Sequence, residues 1–536
     1  VVTRNNEALF LIVPGAPQLA VGPEVIGSKA HGLMRLARLG LPVPPAFVIG
    51  TPVCREYFAQ GRKLPDDLRE TLAQGLARLE VSTGRSFGNA RRPLQVSVRS
   101  GAPLSMPGMM DTILNIGLSE QTLRGFLRTT GNPRQVRDSY RRLIRDFSVV
   151  VRGAEAPPFD ALAEQHCAEQ QLGNPRELDS LALDQIAQES LELATALTSQ
   201  PFPQDPMDQL LAAVEAVFRS WDSDKARQYR RLSGIDDDLG TAVTIQAMVY
   251  GNAGNTSGAG VGFTRDPATG ENRLYLDFLF NAQGEDVVSG RNAVRETDRL
   301  PGRLPAVAAE LARMKGVLEG EFLDMQDFEF TVEQGRLYLL QTRDGKRTPW
   351  AALKVAIDMV GEGLIAPADA MRRLEGLPLE RLERARIANG AGMAPLASAI
   401  PASIGVAIGA IALDPRRAVA LAAEGRSVVL VRHDVSTADI EGITVADGVL
   451  TAAGGRTSHA AVVARQLGKV CLVGCATLHV APEEGHCLIA GKEFEEGDEL
   501  TLDGETGRIF AGRLAIVRER PERELAELAR WRRGSA

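Results

Sequence analysis

DMQDFEFTVEQGRLYLLQTRDGKRT, residues 324–348, is the stretch on which the fold reading turns. Its segments 328–332 and 336–342 read as strands. Glu333-Gln334-Gly335 between them has the composition of a tight hairpin turn. Asp327 and Glu329 stand two residues apart, so both carboxylates face one side of their strand. Gln341 and Arg343 repeat that spacing on the partner strand. Four polar residues converging from paired strands make a poor core. Paired carboxylates suit Mg²⁺ bridging phosphates; a solvated face laced with salt bridges is the competing reading.

Toward the N-terminus, QVSVR (95–99) alternates like a strand and ends in Arg99, a residue able to grip phosphate with two parallel N–H groups. It runs into Ser100-Gly101 and a Gly/Met/Pro-rich loop ending near Asp111. Gly101 and Gly108 let that backbone approach a polyphosphate. Met106, Met109 and Met110 fit packing better than chemistry. Lys29 follows Gly27-Ser28 at the start of a helix over 28–39, where backbone N–H groups and an ammonium could both meet phosphate. Residues 120–221 are expected to be largely helical, with LDQIAQESLELATALTS close to a 3.6-residue period. The Arg-rich run 137–145 within them reads as a solvated helix face. Strands return at 242–250, 260–264 and 274–281.

Beyond the hairpin, helix is expected over 349–386, then a flexible linker, NGAGMAP (389–395). Alternating strands and short helices continue to about residue 512, and a charged helical tail occupies 518–533. Within that unit stands GGRTSHAAVVAR, residues 454–465. A glycine pair closes a strand, Thr457 or Ser458 caps the next helix, and His459 falls in its first turn. Such a helix start favours an anion, so a neutral imidazole there is a plausible nucleophile toward phosphorus. A capped helix bearing a solvated histidine is the plain alternative. Small side chains at Ala460, Ala461 and Ala464 allow close packing.

The chain has 536 residues, 44 % hydrophobic and 24 % charged, with a formal charge of −7. At roughly 100–200 residues per domain this suggests three or four units. The acidic balance argues against a nucleic-acid binder, and no apolar run reaches a membrane span. Five scattered cysteines suit a reducing cytosol rather than a disulfide framework, so a cytoplasmic protein is expected. Cys471, Cys475 and Cys487 with His479 and His486 match no common zinc spacing and read as small buried cysteines.

GGRTSHAAVVARQLGKVCLVGC strongly resembles the phosphohistidine segment of the pyruvate, phosphate dikinases, whose usual form has Met where this chain has Arg456. VSVRSGAPLSMPGMMDTILNIGL (96–118), DDLGTAVTIQAMVYGN (237–252), GVGFTRDPATGE (260–271), FNAQGEDVVSG (280–290) and the hairpin at 324–348 continue the likeness in order. Ser28 and Ala30 depart from the family's more glycine-rich loop. The resemblance implies an ATP-grasp-like nucleotide domain with a helical insertion, and a swivelling β/β/α phosphohistidine domain. It implies His459 as the phosphate carrier. It also implies a Mg²⁺–ATP site drawing on Lys29, Arg99, Gly101, Asp327, Glu329, Gln341 and Arg343, with Asp327, Glu329 and Gln341 on the metal. Adenine would lie along Gln246, Met248 and Val249. Thr457 matches a threonine that plant dikinases phosphorylate for regulation.

The expected boundaries are 1–119 and 222–346 for the two nucleotide subdomains, 120–221 for the insertion, 347–398 for a helical linker, 399–515 for the phosphohistidine domain and 516–536 for the tail. Dikinases also carry a C-terminal barrel for pyruvate and phosphoenolpyruvate, which takes about 250 residues and is not in this sequence. The expected activity is therefore the nucleotide half-reaction. ATP and inorganic phosphate would phosphorylate His459 and release AMP and pyrophosphate, with a separate chain as a candidate source of the barrel. A phosphotransferase acting on another small acceptor, with its pocket in 120–220, and a non-catalytic nucleotide sensor are the alternatives.

Overall fold

The computed structural model describes residues 9–15, 21–104, 106, 110, 112–288, 297–388, 394–435, 439–456 and 458–534. The chain is mixed α/β and divides into two compact units, 1–257 with 331–342, and 258–330 with 343–536.

The first unit is built on five antiparallel strands in the order Leu9–Ile12, Ala46–Ile49, Ala242–Ala247, Val96–Gly101 and Thr112–Ile116. Pleating sends alternate side chains to opposite faces. Val96, Val98, Val243, Ile245 and Ala247 join the main core, with Leu72, Phe126, Leu143, Val214 and Phe218 from helices Leu68–Thr83, Glu120–Thr130, Pro133–Asp146 and Pro206–Trp221. The expected helices of 120–221 are present and mostly share this core, while Ala163, Cys167, Leu178, Leu183 and Ile186 form a small core of their own.

The Arg-rich run is not a solvated face. Asp138 is buried and accepts from Arg141 at 2.8 Å, Arg142 at 3.1 Å and Asn252 at 3.1 Å. Arg145 grips Asp160 through two N–H groups at 2.7 and 3.0 Å. The helix turns this side inward, so its charges must be matched internally. Burial opposes ionisation of Asp138, but Arg142, Arg141 and Arg134 outweigh it and hold the carboxyl well below the usual range. Asp138→Asn should therefore cost about 3–5 kcal/mol in urea unfolding at neutral pH, because it strands buried guanidinium groups. A depressed pKa gives stability that is present above the ordinary carboxylate range and lost as pH falls through the folded value. The gap between the two proteins should accordingly close only in strong acid.

The second unit holds most of a four-stranded sheet ordered Arg336–Asp344, Gln326–Glu333, Gly258–Phe263, Tyr275–Phe280. The hairpin tip, 331–342, counts with the first unit. Gln334 and Gly335 both take positive φ, 49° and 79°, the two-residue turn that matches strand twist. Helix Pro349–Gly361 and the shorter Pro367–Arg373 follow, but the chain then enters strand Arg384–Ile387, not the expected continuous helix. That strand pairs antiparallel with Ile516–Glu519, so the tail starts as strand. Its helix, Glu522–Gly534, begins only after Pro521, and Leu528 joins the core around Leu353 and Met359.

The remainder is an eight-stranded sheet whose centre, Val406–Ala412, Val428–Arg432, Gly448–Thr451 and Val470–Val473, is parallel. Helices Pro415–Ala423, Ile440–Val445 and His459–Gln466 cover one face. Leu478, Cys487, Ile489 and Phe494 of a three-stranded meander cover the other. All five cysteines are buried and free. Among the described residues no three His, Cys, Asp or Glu side chains gather as a metal site, and no helix is long and apolar enough to cross a membrane.

Candidate functional site

The candidate residues fall into one group in each unit. In the first, helix Pro23–Arg38 is broken at Gly27, which takes φ 77° and ψ 155°. The helix proper therefore starts at Ser28, as its sequence implies. A Cβ on Gly27 would lie 2.0 Å from the Gly101 carbonyl oxygen, so Gly27 permits a contact that no side chain at that position would. Ser28 donates its N–H and its hydroxyl to Ala102 O at 2.9 and 3.0 Å. Half-buried Lys29 thus begins a helix pinned to the end of the Arg99 strand. Arg99 Nη1 donates to Leu340 O at 3.3 Å. Leu340 precedes buried Gln341, and the Thr342 carbonyl packs against Gly32 of the same helix.

Register sets Arg99 opposite Thr244 and Ser97 opposite Gln246. With Gln95 they form a polar face on the side of the sheet away from the main core. Gln95, Ser97, Thr244 and Gln246 are all buried. Gln246 Nε2 donates to Pro44 O at 3.2 Å and ties neighbouring strands. Gln95 Nε2 and Thr244 Oγ1 have no hydrogen-bond partner among the described residues. Buried polar atoms without partners cost roughly 1–3 kcal/mol each, which suits a face that receives a polar ligand. The sequence reading passed over Gln95, Ser97 and Thr244, although the alternation of QVSVR already aligned the first two with Arg99. Met248 and Val249 lie just past the strand, half-exposed, with Met248 N–H on Gln95 O at 3.0 Å. Met106 packs against Ala102, Trp221 and Ala226, as a filler should. Gly108, Met109 and Asp111 lie outside the described residues.

In the second unit, Asp327 is buried and accepts from Arg343 Nε at 2.7 Å. Gly345 N–H donates to Met325 O at 2.9 Å, a register that sets Asp327 opposite Arg343. Glu329 is half-buried on the same strand face. Burial pushes the Asp327 carboxyl above its usual range, and neighbouring Glu329 adds to this, while Arg343 and the more distant Arg465 pull it back. Arg343 loses by burial but gains more from Asp327 and Glu329, so its guanidinium stays charged. Two carboxylates, with no third acidic or imidazole ligand gathered beside them among the described residues, make an incomplete cage. That donor set fits Mg²⁺, which binds one or two carboxylates and takes phosphate and water for the rest.

The Ser458 hydroxyl caps the His459–Gln466 helix by accepting from Ala461 N–H at 3.4 Å. Thr457 lies outside the described residues. Gly454 has φ 108° and Gly474 has φ 67°, and a Cβ on Gly474 would meet Gly454 O at 2.7 Å, so both turns need glycine. Ala460, Ala461 and Ala464 are fully buried, which brings the helix down onto the sheet. Arg465 is 0 % exposed. Its Nη1 donates to Ala402 O at 3.0 Å and to Arg456 O at 2.8 Å, clamping the loop that leads to His459. Its Nε and Nη2 have no partner among the described residues. The guanidinium lies 5.5 Å from the Phe263 ring centre. The sequence reading missed Arg465 because its value depends on a long-range contact.

Residues 60–300 match the family model of the pyruvate phosphate dikinase AMP/ATP-binding domain, and 425–507 that of the PEP-utilising enzyme mobile domain. The chain thus carries the ATP-binding and mobile domains found in the pyruvate, phosphate dikinase family. It is 43 % identical over 491 residues to the pyruvate, phosphate dikinase of Clostridium symbiosum, covering 91 % of this chain and 56 % of that protein. The Rhizobium meliloti protein of that name is 41 % identical over 518 residues, 94 % of this chain and 58 % of its own. The chloroplastic one of Arabidopsis thaliana is 40 % identical over 509 residues, 95 % and 53 %. The chain thus spans about half the length of the curated relatives it matches.

A carboxylate with a raised pKa loses its charge early on acidification. If Asp327 helps hold Mg²⁺ at bound ATP, Mg²⁺-dependent ATP binding should therefore weaken as pH falls through its raised value, above the range of an exposed aspartate. Isothermal titration across pH 4–8 checks this. Asp327→Asn should bind weakly throughout and lose that pH-dependent step.

Proposed function

We propose that this chain carries out the nucleotide half-reaction of that family, phosphorylating His459 from ATP and inorganic phosphate. The observation that carries the reading is Arg465. It clamps the loop leading to His459, packs over Phe263 of the four-stranded sheet, and acts electrostatically on Asp327 of that sheet. One compact unit therefore holds the candidate phosphate carrier together with Asp327 and Glu329, two of the three candidate metal ligands. The first unit is read as part of an ATP-grasp-like fold, with its polar face under the nucleotide.

In this reading Lys29 and Arg99 hold the polyphosphate, with the Gly27–Gly101 contact keeping their backbones close. Gln246, Met248 and Val249 border the adenine. Asp327, Glu329 and Gln341 would hold Mg²⁺, which when bound neutralises phosphate charge and aligns the reacting groups. The His459 imidazole attacks the β-phosphorus of ATP, the bond to the α-phosphate oxygen breaks, and AMP leaves. Inorganic phosphate then attacks the terminal phosphorus of pyrophosphoryl-His459, and pyrophosphate leaves with phospho-His459 remaining. The arginines stabilise charge that develops on oxygen at each step. The free, buried cysteines agree with a reducing compartment such as the cytoplasm. By the relatives' name, the onward acceptor is pyruvate.

Incubation with Mg²⁺, phosphate and ATP should give an acid-labile phosphoprotein and AMP, both dependent on added phosphate. His459→Ala should abolish both while leaving ATP affinity within about twofold. AMP formation at the wild-type rate by His459→Ala would refute the assignment. Asp327→Asn should slow phosphorylation by about 10²–10³-fold, the scale of losing one main electrostatic stabiliser.

A further inference from the structure

Arg456 and Tyr275 meet across two parts of the second unit. The Arg456 guanidinium lies 4.8 Å from the centre of the Tyr275 ring. Arg456 stands three residues before His459, at the end of the loop that Arg465 clamps. Tyr275 opens the edge strand Tyr275–Phe280 of the four-stranded sheet and is buried. Its hydroxyl donates to Pro401 O at 3.3 Å, one residue from the Ala402 carbonyl held by Arg465. Phe263, edge-on to Tyr275 at 6.3 Å between ring centres, sits under Arg465. Two arginines of the His459 segment thus rest on two rings of the sheet that carries Asp327, and the phenol ties down the strand beside them.

We propose that Arg456 on Tyr275 is a latch that holds the His459 segment on the nucleotide sheet and sets how long it stays there. The proposal rests on the reading of His459 as the phosphate carrier. The contact is polar and small, unlike a permanent core. A cation over a partly desolvated ring shifts an equilibrium by roughly two- to thirtyfold. That is enough to favour engagement and small enough to release the segment after transfer. Arg456 is half-exposed, so water can reach it as the contact opens. Arg465, fully buried, belongs to the segment's own rigidity and travels with it.

Arg456→Met keeps the length and apolar stem but removes the cation, and Tyr275→Leu removes the ring. Each should slow His459 phosphorylation by ATP and phosphate by two- to thirtyfold without changing ATP affinity. The double variant should be no slower than the slower single. Multiplying losses would overturn the latch, because they would mean that the two residues act separately. A second measurement does not depend on the chemistry. Spin labels at exposed Ala312→Cys and Glu493→Cys should give one dominant distance in the parent. Adding Arg456→Met should populate a second distance, and an unchanged distribution would equally overturn the proposal. Tyr275→Leu removes a buried ring, so Arg456→Met carries the decision if the former fails to fold. If the parent does not label His459 at all, the functional reading falls, while the distances still decide the latch.

Discussion

A charge taken out of water must be matched close by, and this constraint shapes both units. Asp327 is tolerated in its sheet because Arg343 reaches it at 2.7 Å. Arg265 is fully buried because Glu319 and Glu362 close around it, Glu319 with two hydrogen bonds of 3.0 and 2.9 Å. Asp138 is matched by Arg141 and Arg142. Arg465 is different. Its hydrogen bonds go to two backbone carbonyls, and two of its nitrogens have no partner among the described residues. Replacing such groups by apolar side chains is often neutral for stability. Their presence on the strand of Asp327 and on the helix of His459 therefore points to chemistry more than to folding.

Glycine supplies the second constraint. Gly27 against Gly101, and Gly454 against Gly474, are contacts in which backbone replaces side chain. The first lets Lys29 start a helix beside the Arg99 strand. The second closes the loop before Ser458 and His459. In both, a helix N-terminus is brought close to a strand end, an arrangement suited to anions.

Much of this was legible in the sequence because it is local. The hairpin at 334–335, the alternation of Asp327 with Glu329 and a cap at Thr457 or Ser458 follow from spacing of two or from turn chemistry. What was misread depends on contacts distant in sequence. The charges of 137–145 look solvated until Asn252 and Asp160 are placed beside them. The tail looks helical from 518 until Arg384–Ile387 offers a strand partner to Ile516–Glu519. Likewise the unpaired polar atoms of Gln95 and Thr244 emerge only from the register of two strands almost 150 positions apart.

The central claim is that His459 receives the β-phosphoryl group of ATP, with phosphate removing the γ-phosphoryl as pyrophosphate. The most direct measurement compares ATP labelled at the β-phosphate with ATP labelled at the γ-phosphate, each with Mg²⁺ and unlabelled phosphate. The account predicts β-label on phospho-His459 and γ-label recovered only in pyrophosphate. Retention of γ-label on His459 with release of ADP would contradict it and leave an ordinary kinase transfer in its place.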